Sequence, residues 1–298
     1  METNSTTGYQ VSLPSRSFSS RLWQAFLVIA RNRLALLGLV IILTGVFAAI
    51  FAPFITTHDP FEINIPERMQ PPSWNHWFGT DFLGRDTYTR VVFGARTAFQ
   101  VAIGAVVLGA FFGIPIGLLA GYFGGWVDSA FMRVMDALLA FPGRLLAIAL
   151  VASLGGGLFS LYVAIGINSI PSYARIIRGA VLSQKEKEYV EAARMTGETD
   201  AGIMYRHILP NCFAPLLIRL SLDFAGAILT ESSLSFLGLG FPPPTPSWGL
   251  MLKEVSPFLE LQPWAAFIPG LTISLMILGF NLLGDGLRDV FDPRQYDR

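Results

Sequence analysis

Three ionisable side chains fall inside one long hydrophobic stretch, residues 214–237. A charge in a membrane-length apolar segment is costly and by default marks a transport path or a partner. Arg219 and Asp223 are four residues apart, so on a helix they share a face and can neutralise each other. Glu231 lies about two turns further on and could line a translocation cavity, or cap or pair with a partner subunit. Asn281, in a later apolar stretch, could hydrogen-bond between helices or face the same path.

The sequence lacks the residue spacings of catalytic, nucleotide-binding and metal-binding motifs. A P-loop needs Gly-Lys followed by Ser or Thr, and none of the three lysines follows a glycine: Lys185, Lys187 and Lys253. The histidines form no His-x-x-x-His or Glu-x-x-His pair: His58, His76 and His207. There is no Gly-x-Ser-x-Gly elbow, and Asp81 and Asp86 favour a Gly-Asp turn held by Arg85 over a cation site. We therefore predict no catalytic residue, no metal and no nucleotide site in this chain.

The composition is typical of a polytopic membrane protein. Of 298 residues, 52% are hydrophobic and 14% are charged, with a mean hydropathy of +0.52, whereas soluble domains carry about 25% charged residues. The single cysteine, Cys212, excludes a disulfide framework within the chain and is expected to be a small buried residue. The polar start of the chain does not resemble a cleavable signal.

The hydrophobic stretches predict a transmembrane domain, residues 34–284, between a cytoplasmic N-terminal segment (1–33) and a polar cytoplasmic tail (285–298). We expect six spans in it, the third bent at Pro142. The spans are predicted at about 34–55, 97–121, 134–154, 158–178, 214–237 and 262–284.

Basic residues indicate the orientation of these spans, because they favour the cytoplasmic side. Most arginines and lysines fall in segments that share a side with both termini, so we predict that both termini and residues 183–211 are cytoplasmic. Arg85, Arg90 and Arg96, just before the second span, are the exception to this pattern.

A glycine repeat within the second span predicts close helix packing. Positions four apart lie on one helix face, and the repeat therefore forms a groove that another helix can enter. The glycines are Gly109, Gly113, Gly117 and Gly121.

The longest strongly polar passage, residues 183–211, lies between two apolar spans. Ser183 and Glu186 have the form of a capping box, which predicts a helix over Gln184 to Met195. Gly197 then ends that helix, Thr199 or Asp200 caps a second short one, and Pro210 stops it. We expect a compact helical hairpin.

The side chains of Ala192 and Ala193 are small, so a partner can pack close to the helix backbone there. The charged residues around them can orient that partner. A solvated amphipathic helix lying on the membrane explains the same residues equally well.

Family resemblance decides between these interpretations. Glu191-Ala192-Ala193, followed by Gly197 and Leu209-Pro210, resembles the cytoplasmic "EAA loop" of ABC importer permeases. HILPN (207–211) is similar to the form found in dipeptide/oligopeptide and nickel permeases. Further motifs over most of the chain resemble the C-type subunit of that group: GTDFLGRD (79–86), LAGYFGGWVD (119–128), ESSLSFLGLG (231–240), PPTPSWG (243–249) and NLLGDGLRD (281–289). Arg144 departs from the apolar residue expected there.

The resemblance implies an all-α, type I ABC importer permease fold in a multi-pass inner-membrane protein. It implies that residues 183–211 couple this chain to separate ATPase subunits, which hold ATP and Mg²⁺, while this chain holds no cofactor. The coupling residues on this basis are Glu191, Ala192, Ala193, Gly197, His207, Leu209 and Pro210. The implied partners are a second homologous permease, two ABC ATPases, an extracytoplasmic solute-binding protein and the lipid bilayer, with no nucleic acid.

The expected activity is import of peptides or a related small solute by alternating access. Similar permeases carry nickel or glutathione, so the solute stays open between these classes. A stand-alone secondary transporter would need an ion-coupling site and an internal repeat, and a membrane enzyme would need a catalytic cluster. We find none of these features in the sequence.

Overall fold

A computed structural model describes residues 32–291, and this part of the chain is helical without strands. The helices are α1 (Arg33–Ile55), α2 (Thr87–Phe123), α3 (Gly125–Ala140), α4 (Gly143–Leu154), α5 (Leu158–Gln184), α6 (Glu188–Met195), α7 (Asp200–Gly202), α8 (Phe213–Phe236), α9 (Trp248–Val255) and α10 (Pro263–Phe291). The N-terminal segment 1–33 and the end of the tail lie almost wholly outside the described residues. Because α10 continues to Phe291, the predicted tail begins as helix.

Four stretches of the described chain are long and apolar enough to cross a membrane: Arg33–Ile55, Thr87–Phe123, Asp200–Phe236 and Pro263–Asp289. A fifth exists if α3 and α4, which meet at an angle of 85°, form one broken span. Six spans are therefore not confirmed. Helix α5, the predicted fourth span, does not pass this test; it carries the cations Arg175 and Arg178.

The bend at Pro142 is confirmed, since α3 ends at Ala140 and Pro142 caps α4. The polar residues before the predicted third span are helical, because α3 begins at Gly125. The acidic side chains of α3 pair with α5: the carboxylate of Asp128 accepts from Arg178 Nη2 at 2.6 Å, and the carboxylate of Asp136 accepts from Arg175 Nη2 at 2.6 Å.

The glycine groove on α2 is confirmed as a packing surface. All four glycines are buried against α5. A β-carbon on Gly113 would lie 2.5 Å from Tyr173 Cβ and 2.7 Å from the Ile170 carbonyl oxygen. Only glycine allows the two helices to approach this closely.

Two of the arginines that run against the charge pattern are buried and paired. Arg85 donates to Asp81 at 2.6 Å and to Glu254 at 2.7 Å, so the predicted Gly-Asp turn held by Arg85 is confirmed. Arg90, fully buried, lies 3.4 Å from the same Glu254 carboxylate. These contacts tie the connection 56–86 to α9. Both guanidinium charges are therefore paired with carboxylates of the same chain.

Candidate coupling hairpin and membrane-embedded polar residues

The polar passage 183–211 folds as a helical hairpin, but its first helix begins later than expected. Helix α5 continues through Gln184, and α6 begins at Glu188 after Lys187. Ser183 is thus inside α5, and the capping-box prediction is wrong. The acidic residues Glu188 and Glu191 occupy the first turn of α6, where the helix dipole favours negative charge.

The turn of the hairpin follows the expected chemistry. Gly197 adopts a left-handed φ of 78°, and its N–H donates to the Arg194 carbonyl at 3.0 Å. Thr199 caps α7, since its hydroxyl accepts from the Gly202 N–H at 3.1 Å.

Pro210 does not stop the second helix, which contradicts the prediction. A π-helical turn (Ile203–Ile208) and a 3₁₀ turn (Leu209–Cys212) lead directly into α8. Proline lacks an N–H and removes one helical hydrogen bond, and the chain absorbs this loss by changing its helical pitch there.

The inner face of the hairpin is an apolar anchor. Val190 and Ile203 are fully buried, and they pack in one cluster with Ile177 and Val181 of α5. Ala193 belongs to the same cluster and is only 8% exposed. Hence the expectation that both alanines form the open surface is corrected: Ala193 faces inward.

The outer face of the hairpin is open. Met195, at the end of α6, is 90% exposed, an unusual state for a large apolar side chain. The exposed residues of α6 and its turn are Glu188, Glu191, Ala192, Arg194, Met195, Thr196 and Gly197. They include Met195 and Arg194, residue types that are enriched at protein interfaces, beside two carboxylates, which are depleted there.

Polar contacts fix the hairpin to the end of α2. The Tyr122 hydroxyl donates to Asp200 Oδ1 at 2.6 Å, and the Arg194 guanidinium lies 5.5 Å from the centre of the Tyr122 ring. Lys185 Nζ donates to the Gly121 carbonyl at 3.2 Å. These contacts join the hairpin to the C-terminal end of a 37-residue helix.

The remaining predicted coupling residues lie beside the second arm of the hairpin. His207 is partly exposed, with Nε2 3.9 Å from a Glu198 carboxylate oxygen, and Leu209 and Pro210 are half-buried. Arg206 lies 3.6 Å from the other oxygen of Glu198. Burial raises the pKa of the neighbouring Tyr189 phenol, which stays neutral and donates to Gln184 at 3.0 Å.

The polar residues of α8 form two separate sites. Arg219 and Asp223 are paired at 2.6 Å, as predicted, and the Asp223 carboxylate is buried beside the Tyr173 phenol. Glu231 is eight residues further, or about 12 Å along the helix, and shares no hydrogen bond with that pair. Asn281 is half-buried on α10.

Glu231 is enclosed by hydroxyl groups. It is 1% exposed, and one carboxylate oxygen accepts from Ser235 at 2.8 Å and from Ser247 at 2.9 Å. Ser232 donates to the other oxygen at 3.3 Å. The carboxylate thus joins the end of α8 to the start of α9, a role that the sequence did not reveal because Ser247 lies across a loop.

Arg144, the departure from the family pattern, is exposed in the first turn of α4, next to the break that separates α4 from α3. Cys212 is buried, as predicted.

A family model described as the binding-protein-dependent transport system inner membrane component matches residues 113–296. This range includes the hairpin, α8 and α10. The chain belongs to this family of ABC importer permeases. A second model, the N-terminal transmembrane domain of oligopeptide transport permease C, matches residues 20–72 and identifies the permease as a C-type member of the dipeptide/oligopeptide group.

Curated relatives match the permease over nearly its full length. The dipeptide transport system permease protein DppC of Alkalihalophilus pseudofirmus is 45% identical over 91% of this chain and 89% of its own. The di/tripeptide permease DppC of Pseudomonas aeruginosa is 43% identical, covering 94% and 95%. The glutathione transport system permease protein GsiD of Pectobacterium atrosepticum is 42% identical, covering 95% and 92%.

A solved structure of inward-facing conformations of the MetNI methionine ABC transporter contains a chain of similar fold. The TM-score is 0.55 at 16% identity, over 68% of the permease and 97% of that chain. The predicted all-α, type I importer fold is therefore confirmed, while the number of spans is not.

Proposed function

We propose that the permease is one half of the membrane pathway of an ATP-driven importer, and that the hairpin 183–211 is its coupling arm. The observation that carries this proposal is the two-sided hairpin. Its inner face is anchored on α2 and α5, while its outer face exposes Glu188, Glu191 and Met195. A helix that lay on the membrane surface would leave its apolar face uncovered by protein, so that lipid could contact it. Helix α6 instead buries Val190 and Ala193 within the protein.

The partners follow from this role. Two ABC ATPases bind ATP and Mg²⁺ outside this chain, and one of them receives the outer face of the hairpin. A second homologous permease completes the pathway. A solute-binding protein docks at the opposite end of the molecule, on residues 56–96 and 238–262, which include the first turns of α2 and all of α9. Closure of the ATPases moves the hairpin, and the helices alternate between inward- and outward-facing states.

The proposed topology keeps both termini and the hairpin in the cytoplasm, with residues 34–284 as the membrane domain and α5 as an additional span packed on α2. Arg85, Arg90 and Arg96 then lie on the outer side, against the usual bias of basic residues. Arg85 and Arg90 pair there with Glu254, and the Arg96 guanidinium lies 5.9 Å from the Phe93 ring centre.

The proposed solute is a short peptide, with glutathione, itself a small peptide, as the second candidate. Relatives of both kinds match the permease at similar identity. Within the membrane domain, Asp223, Glu231 and Asn281 are proposed to influence the pathway. Glu231 would act indirectly by fixing α9, because its carboxylate is closed off by three serines.

Reconstitution tests the proposed function. The permease, its partner permease, the ATPases and the binding protein are placed in liposomes with labelled dipeptide, glutathione or Ni²⁺. We expect uptake only when ATP and the ATPases are present, and the labelled solute that accumulates identifies the class. Uptake by the permeases alone, driven by an ion gradient, would instead indicate a secondary transporter.

A further inference from the structure

Two histidines that are far apart in the sequence come together at the end of the molecule opposite the hairpin. His58 follows α1, His76 lies in the connection 56–86, and Asp86 caps α2. The hairpin binds the other end of α2, about 55 Å away along this helix. One ligand atom of each of the three residues lies within 4.8 Å of the other two.

The atoms of this cluster lie close to, but not yet in, the arrangement of metal ligands. His76 Nδ1 lies 2.8 Å from Asp86 Oδ1, and the His58 and His76 ring centres are 4.8 Å apart. Ligands at about 2.0–2.2 Å from a tetrahedral metal lie roughly 3.3–3.6 Å from each other. A shift of about 1–1.5 Å by the half-buried His58 ring, with a small separation of the His76–Asp86 pair, would therefore bring all three atoms to one centre.

In each of the three side chains, the second nitrogen or oxygen atom also has a polar partner. Thr57 Oγ1 lies 3.0 Å from His58 Nδ1, which leaves Nε2 of that ring for a metal. Glu67 Oε2 lies 3.4 Å from His76 Nε2. Asp86 Oδ2 accepts from the Thr89 N–H at 2.8 Å. Such outer contacts orient the ligands of metal sites, where the nitrogen that does not bind metal is typically paired with an oxygen.

The surroundings leave room for a further ligand. His58 and Asp86 border a pocket of about 420 Å³, together with Thr57, Trp74 and Tyr88. His76 and Asp86 are buried at 3% and 4% exposure, so bulk water competes little for their ligand atoms.

We propose that His58, His76 and Asp86 form a binding site for a borderline divalent cation of the Zn²⁺ class, with one coordination position open to the pocket. Two imidazoles and one carboxylate suit Zn²⁺, Ni²⁺ or Cu²⁺, whereas Mg²⁺ and Ca²⁺ prefer oxygen ligands. The bound cation replaces the hydrogen bond between His76 and Asp86. It links the end of α1 to the start of α2, which stiffens the connection 56–86.

The site is tested on the full-length permease without a polyhistidine tag, stripped of metal with a chelator. Competition against a chromogenic chelator measures Zn²⁺ and Ni²⁺ affinity, with Mg²⁺ as the negative control. We expect one saturable site per chain, and His58→Gln to weaken it by at least about tenfold. His207→Gln, at the other end of the molecule, should leave it unchanged.

Thermal unfolding provides the second readout, because His76→Gln removes a buried hydrogen bond and can fail to fold. Zn²⁺ should raise the unfolding midpoint of the wild-type chain and not that of His58→Gln. The absence of saturable binding, or equal affinity in His58→Gln and the wild type, would overturn the proposal. Both readouts are independent of transport, so they do not depend on the proposed function.

Discussion

Replacing Gly197 by Asp, or Glu191 by Lys, should abolish transport and uncouple ATP hydrolysis while the permease still inserts in the membrane. Both positions are exposed on the outer face of the hairpin, and a β-carbon at residue 197 meets no atom within 4 Å. The left-handed φ of 78° costs a non-glycine residue about 1–2 kcal/mol. The main effect is therefore on the partner surface rather than on folding.

The size of this effect follows from interface energetics. Truncating one partner of a buried interfacial charge pair costs about 2–5 kcal/mol, and 1.4 kcal/mol is about tenfold in affinity. Co-purification of the ATPases, uptake and ATP hydrolysis are the measurements. Glu62→Lys, the same charge reversal on an exposed residue at the opposite end, is the control for co-purification. Normal uptake by both hairpin variants would refute the coupling role.

Gly113→Leu should prevent stable folding of the permease. The added β-carbon alone would lie 2.5 Å from Tyr173 Cβ and 2.7 Å from a backbone oxygen of α5, so the helices must separate. Overpacking of this kind costs about 1–3 kcal/mol, and more where backbone is displaced. The unfolding midpoint in detergent and the yield of monodisperse protein measure the loss.

The matched control for this prediction is Gly179→Leu. Gly179 lies on the exposed side of α5, and nothing is within 4 Å of its β-carbon position. We expect near wild-type stability for this variant. Equal yields for the two variants would show that the glycine groove does not hold α2 against α5.

Local patterns were sufficient to predict the parts of the fold that depend on local geometry. The four-residue glycine spacing identified the α2–α5 contact, and Gly197 identified the turn of the hairpin. The capping pattern at Ser183 failed because α5 packs on α2 as far as Val181, next to Gly121, and this tertiary contact extends the helix. The sequence also places Ala193 on the open surface, because nothing in the local pattern indicates its burial against α5.

The candidate sites depend on contacts between distant residues, which spacing cannot reveal. One of the serine hydroxyls that donate to Glu231 belongs to Ser247, which lies across a loop. The Tyr122–Asp200 hydrogen bond likewise joins residues of two different elements. His58 and His76 share no motif, yet their rings meet above the N-terminus of α2. Met195 carried no signal in the sequence because its exposure is a property of the folded hairpin.

Site-directed cross-linking tests most directly whether the outer face of the hairpin contacts an ATPase subunit. The native cysteine, Cys212, is fully buried, so a cysteine introduced at an exposed position is the reactive one. Met195→Cys should cross-link to an ATPase subunit in the assembled complex, and the cross-link should change in yield when ATP binds. Trp74→Cys, 98% exposed at the opposite end, should not cross-link to it. A complex in which Met195→Cys reacts freely with soluble thiol reagents and never with the ATPase would contradict the coupling role.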